Sequence, residues 1–136
     1  MTAIRPLTWQ AAALAWFAIL LLAILNGALR EALLVPAWGR TPATMTSGVL
    51  LVAAVLGVAW LLLRRRVPSG AAHCWLVGAA WLVATLVFEF TTGFATGKSW
   101  TEMLAAYRFA EGNLWPIVLV VVLLAPMLVH RFRRRD

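Results

Sequence analysis

The sequence predicts an all-α fold, a four-helix transmembrane bundle with one extracytoplasmic amphipathic helix between spans three and four. The chain of 136 residues is 63% hydrophobic and only 12% charged, which lies outside the range of ordinary soluble domains. Four apolar runs approach the roughly 20 residues that a helix needs to cross a hydrocarbon core of about 30 Å. These runs also sort the basic residues. If each run crosses once, Arg5, Arg64, Arg65, Arg66, Arg131, Arg133, Arg134 and Arg135 fall on one side, with Asp136 as their one carboxylate. Arg30, Arg40, Lys98 and Arg108 fall on the other, matched by Glu31, Glu89, Glu102 and Glu111. Short arginine-rich loops stay cytoplasmic, so the pattern predicts a multi-pass protein of a bacterial inner membrane with both termini in the cytoplasm.

The expected organisation is a single membrane domain over residues 1–136, with spans at about 7–29, 45–63, 71–90 and 114–130 and the outer helix at 99–111. The first span follows Arg5 but lacks a small-x-small cleavage site, so it reads as retained rather than as a signal peptide. The second closes at Arg64-Arg65-Arg66, and Val67-Pro68-Ser69-Gly70 then forms a short turn that predicts spans two and three as antiparallel neighbours. The fourth run is the shortest, with Pro116 in its first turn, where proline is tolerated, and Pro126 near its end, where a kink is expected. Between spans three and four, Ser99 and Glu102 make a capping box and Gly112 supplies a stop. Trp100, Met103, Leu104 and Tyr107 recur at helical spacing and share one face, as in a helix lying on the membrane surface or over the bundle mouth.

The net charge of +7 would point to nucleic acid in a soluble protein, but these bases flank spans and form no stripe interleaved with stacking aromatics. Anionic lipid headgroups are the expected contact of Arg64, Arg65, Arg66, Arg131, Arg133, Arg134 and Arg135, at roughly 1 kcal/mol per residue near the surface. A homo-oligomer or a larger membrane complex is compatible with the pattern. The single cysteine, Cys74, excludes an internal disulfide. His73 and Cys74 are adjacent and point about 100° apart on a helix, and His130 lies among arginines that repel cations, so no metal and no cofactor are expected. Gly93 to Ser99 resembles a phosphate-binding loop superficially, but the first glycine falls one residue too late for G-x-x-x-x-G-K-[ST] and no strand precedes it.

Ionisable groups within spans are expensive and face a bundle interior or a cavity. Asn26 and Arg30 share a face at the outer end of span one, with Glu31 on the adjacent face, and Glu89 stands between Phe88 and Phe90 near the outer end of span three. Opposite charges at similar depth predict an Arg30–Glu89 contact. That contact would serve either as a structural clamp or as part of a polar pocket formed by Asn26, Arg30, Glu31 and Glu89 and covered by Trp100 and Tyr107. No acidic residue lies at the middle of a span, as proton-coupled transport usually requires.

The strings Asn26-Gly27 with Arg30-Glu31, Phe88-Glu89-Phe90, Gly97-Lys98-Ser99-Trp100, Tyr107 and Gly112-Asn113-Leu114-Trp115 resemble a group of small, uncharacterised four-helix bacterial inner-membrane proteins. Their pattern is N-G-x-x-R-E, F-E-F, G-x-S-W, Y and G-x-L-W, ending in a proline-containing last span, and it carries no activity with it. A second likeness, to bacterial fluoride channels, rests on Gly27, Arg30 and Thr91-Thr92; the phenylalanine–serine core of that family's motif is missing. The expected function is non-enzymatic: binding of a solute or lipid headgroup, or a transport-related role, at an outer-leaflet pocket. The alternative is an accessory subunit docked on a larger membrane complex. An enzyme is third and would need a deep cleft around Glu89 and Tyr107.

Overall fold

A computed structural model describes residues 5–108 and 112–135. The first helix, α1 (Trp9–Leu29), starts where Thr8 Oγ1 accepts a hydrogen bond from the Ala11 amide at 3.2 Å, satisfying one of the free donors of the first turn. It does not stop at Leu29. A π-helical turn (Arg30–Leu34) and a short α2 (Val35–Trp38) carry the apolar helix on to Trp38. Pro36 has no amide hydrogen and its ring crowds the carbonyl one turn back. The chain accommodates it by widening, with the Val35 amide donating to the Arg30 carbonyl. Gly39, at φ 88°, then ends the segment in a conformation that side chains disfavour.

Helix α3 (Arg40–Leu63) begins earlier than the apolar run, because Pro42 falls in its first turn, where it costs no hydrogen bond. Helix α4 (Ala71–Ala95) runs through Thr91 and Thr92 without a break. It ends in a Schellman cap: the Gly97 amide donates to Phe94 O at 3.1 Å, and the Lys98 amide to Gly93 O at 2.9 Å. Gly97 takes φ 86° there, so Gly-Lys-Ser is a helix stop followed by a helix start. Ser99 Oγ accepts from the Glu102 amide at 3.2 Å, capping α5 (Trp100–Ala105). This helix is shorter than the expected 99–111. Tyr107 and Arg108 lie in the turn beyond it, and residues 109–111 lie outside the described residues. Helix α6 (Trp115–Arg135) carries Pro126 in its buried interior and runs past the apolar stretch into the terminal arginines.

Among the described residues, four helices are therefore long and apolar enough to cross a membrane, and the chain is a multi-pass helical bundle. At one end the two-residue strands β1 (Arg5–Pro6) and β2 (Arg66–Val67) pair in parallel. At that end too, the Arg133 guanidinium sits 5.8 Å from the Trp60 ring centre. The arginine clusters thus share one end of the bundle, and α5 lies at the other.

The helices do not pack in chain order. Around the bundle the order is α1, α3, α6, α4, so α6 comes between the second and third spans, which the short turn led us to expect as neighbours. Two features make this possible. The residues between Leu63 and Ala71, extended at about 3.3 Å each, outreach a bundle diagonal of about 14 Å for interaxial distances near 10 Å. Gly78 has no side chain where α4 meets the Leu123 backbone of α6, and a β-carbon there would collide with the Leu123 carbonyl oxygen.

Buried residues run along α3 from Ala43 to Leu63 and along α6 from Val118 to Val129, but on α1 and α4 they are concentrated near the arginine-rich end. On α1 the buried residues are Ala12, Ala15 and Ile19, and none is buried from Leu20 to Leu29. On α4 they are Cys74, Val77, Gly78 and Trp81, after which the next is Gly93. The far half of the α1–α4 seam is left unfilled.

Candidate functional site

The seam between α1 and α4 is pinned by two indoles. Trp81 Nε1 donates to Ala12 O at 2.9 Å, and Trp16 Nε1 donates to Thr85 Oγ1 at 3.0 Å. Both bonds join residues 69 apart in sequence, so residue i of α1 lies level with residue i + 69 of α4. Beyond these pins a cavity of about 370 Å³ opens, within the size range of small-molecule sites. Its back wall is apolar, formed by Leu51 and Val55 of α3 and Val118 and Val122 of α6. Trp16 and Thr85 stand at its floor, and Arg30, Ala106 and Asn113 at its mouth. Because α3 and α6 close the rear, and α1 and α4 touch far less than the other neighbouring pairs, the crevice opens sideways between α1 and α4. From Trp16 to Arg30 it extends about 21 Å at 1.5 Å per residue.

Glu89 stands part-way up this crevice. By the 69-residue register it comes level with Leu20, about 9 Å nearer the floor than Asn26 and about 15 Å nearer than Arg30. The expected Arg30–Glu89 contact does not form, because the two are not at similar depth. Arg30 Nε instead pairs with Glu31 Oε1 at 3.2 Å, and Glu31 also takes Arg40 Nη2 at 3.2 Å, an exposed cluster at the far end. Arg30 lines the crevice mouth, whereas Glu31 does not line the crevice at all.

Glu89 is held by aromatic donors. Its Oε2 accepts from Trp115 Nε1 at 2.9 Å and from the Tyr107 hydroxyl at 3.3 Å. Tyr107 stacks on Phe90, with ring centres 6.2 Å apart. Burial, and then the charge and hydrogen bond of Glu89, push the Tyr107 phenol up to about 12. Asn113 fixes the loop that presents these groups, since its Nδ2 donates to Ala106 O at 2.6 Å and Arg108 O at 2.8 Å while its Oδ1 accepts from the Trp115 amide at 3.2 Å.

Of the residues singled out from sequence, Asn26, Arg30 and Glu89 line the crevice, and Tyr107 reaches it through Glu89. Asn26 is tied down, its Nδ2 donating to Ser47 O at 2.9 Å and Ser47 Oγ at 2.8 Å, which binds α1 to α3. Trp100 does not cover the crevice. It is 62% exposed and packs on Phe90 and Phe94, whereas Met103, 4% exposed, seats α5 on α4 in the space left by Gly93. The seven arginines expected to meet lipid headgroups lie at the opposite end of the bundle. Sequence reasoning missed Trp16, Thr85 and Trp115 as parts of the site. Trp115 follows Asn113 by two residues at the start of a span, but nothing local shows that its indole reaches a carboxylate 26 positions away. Among the described residues no group of His, Cys, Asp and Glu comes together as metal ligands.

Fold and site define a multi-pass helical membrane protein with a laterally open crevice and one carboxylate inside it. The chain matches no family model, no curated protein and no solved structure.

Proposed function

We propose that this is a non-enzymatic protein of a bacterial inner membrane, with both termini cytoplasmic, that binds a lipid-like amphiphile in the crevice between α1 and α4. One observation carries the proposal: the cavity lies along a helix seam rather than at a solvent-facing end, with apolar walls and with Asn113 and Arg30 only at its mouth. A ligand there is sheathed by Leu51, Val55 and Val122 and keeps its polar head at the mouth, as an amphiphile entering from a leaflet would. The arginine distribution favours the outer leaflet as the source. Asn26, Gly27, Arg30, Phe88, Glu89 and Asn113, from the strings that resemble those small four-helix proteins, line this crevice, which supports a common role for them.

A phospholipid carrying a diazirine in its acyl chain tests the proposal in reconstituted vesicles. Labelling is expected on Leu20, Ala23 and Val55, and Ala23→Trp, which fills the crevice, is expected to abolish it. Labelling spread evenly over lipid-facing residues such as Leu14 and Leu61 would refute the site.

A second reading has its own observation. Ala53 and Gly57 form an exposed small-residue patch on α3, and nothing lies within 4 Å of a β-carbon at Gly57. Such a patch lets another helix approach closely, so docking on a larger complex would be read as a partner lost on Gly57→Leu.

A further inference from the structure

Glu89 is the one carboxylate among the described residues that lines the crevice, and it has no cationic partner. All twelve Lys and Arg residues lie within the described chain, and among the described residues the ion pairs they form are Arg30–Glu31 and Arg40–Glu31. Counted from Ala71, Glu89 lies about 27 Å along α4, within that helix's apolar span Ala71–Ala95. A carboxylate held there without an ion-paired partner among the described residues is costly and points to function. Both hydrogen bonds made to Glu89 by side chains of the described residues converge on Oε2. Indole N–H is a donor only, so the site is built around an acceptor, and Oε1 is left for another group.

The rest of the crevice fits a positive charge on an apolar body. Trp16, Phe88 and Trp115 present three aromatic rings to the same cavity, and ring faces attract cations most strongly where water is excluded. Arg30 lies about 15 Å further out, where it shares Glu31 with Arg40 in an exposed cluster that keeps one net positive charge, too far from Glu89 to pair with it. On the other side of Glu89, a smaller cavity of about 160 Å³ is lined by Glu89, Lys98 and Glu102; Lys98 acts on Glu89 through space but forms no ion pair with it. We infer that the crevice ligand is a lipophilic cation whose charge pairs with Glu89. The inference depends on the crevice being a ligand site, and it adds the charge of the occupant.

Tetraphenylphosphonium, an apolar cation, is the probe, measured by equilibrium dialysis on the full chain in detergent micelles, with tetraphenylborate as the anion of the same shape. Saturable binding of the cation is expected, with the anion much weaker. Glu89→Gln should weaken it about tenfold or more, as for loss of an interaction with a charged group, and Glu89→Asp should retain part of it. Phe88→Ala, which leaves the carboxylate and its donors in place, should weaken it about two- to fivefold. Equal binding to the wild type and Glu89→Gln, or equal binding of both ions, overturns the inference and leaves the carboxylate a partner only for protons. If the diazirine lipid still labels the crevice in an Ala23-dependent way, that failure belongs to the cation assignment alone. If the lipid label fails as well, the crevice itself is not a ligand site.

Discussion

Tyr107 is the one tyrosine in the chain, so a tyrosinate absorbance titration of the folded protein reports on the Glu89 cluster alone. The phenol is expected to titrate at about 12 rather than at its ordinary 10, because burial, the carboxylate charge and the hydrogen bond to Glu89 all favour the protonated form. Glu89→Gln removes the charge but not the burial. The midpoint should therefore fall towards 10 without reaching it. The same linkage gives a stability window. The raised value means that the unfolded chain releases its proton first, so the contribution of Tyr107 is complete below pH 10 and is lost as pH rises to about 12. A midpoint that Glu89→Gln does not move would show that the 3.3 Å contact between hydroxyl and carboxylate is not made in solution.

At the scale of elements, the packing of α4 on α6 turns on Gly78. Gly78→Ala places a β-carbon against the Leu123 carbonyl oxygen, which is backbone and cannot rotate away. The helices must separate, at a cost of about 1–3 kcal/mol typical of overpacking, read as a lower melting temperature in detergent. Gly57→Ala, facing open space, should leave the melting temperature unchanged; equal effects at both positions would contradict the helix order described above. Gly78 also shows where local reasoning ends. The four spans were legible because length and hydropathy are local properties, and the helix start at Ser99 was legible because a cap is local. The order of helices around the bundle was not, because every span is apolar on all sides and lipid provides no hydrophobic contrast to mark an inward face. Asn26, Arg30 and Glu89 stood out because polar groups in spans are expensive, but their pairing did not. It depends on the 69-residue register between α1 and α4, and that register is set by Trp16 and Trp81, two apolar residues whose indole N–H groups happen to find acceptors. The expected end of the first span at residue 29 coincides with the end of α1, but its continuation to Trp38 was not legible: Pro36 terminates most helices, and here a π turn absorbs it.

The whole molecule is asymmetric in two ways that point along the same axis. The packed part of the α1–α4 seam and eight arginines lie towards one end, while the crevice, α5 and four bases lie towards the other. Orientation follows the Lys and Arg bias of short loops rather than net charge, so the glutamates at the far end do not enter the count and the bias is eight to four. A green fluorescent protein fused after Asp136 should therefore fluoresce, and an alkaline phosphatase fused there should be inactive. The strand pairing between Arg5–Pro6 and Arg66–Val67 ties the N-terminal segment and the α3–α4 turn to the same surface, so a phosphatase inserted at Ser69 should be inactive as well. One inserted at Gly39, between α2 and α3, should be active. The reverse pattern would turn the crevice towards the inner leaflet, where the amphiphile would have to be drawn from the cytoplasmic side. A dual result, with both reporters active at Asp136, would mean that an eight-to-four bias is too weak to fix one orientation. The bundle would then insert both ways, and the two crevices of an antiparallel pair would open to opposite leaflets.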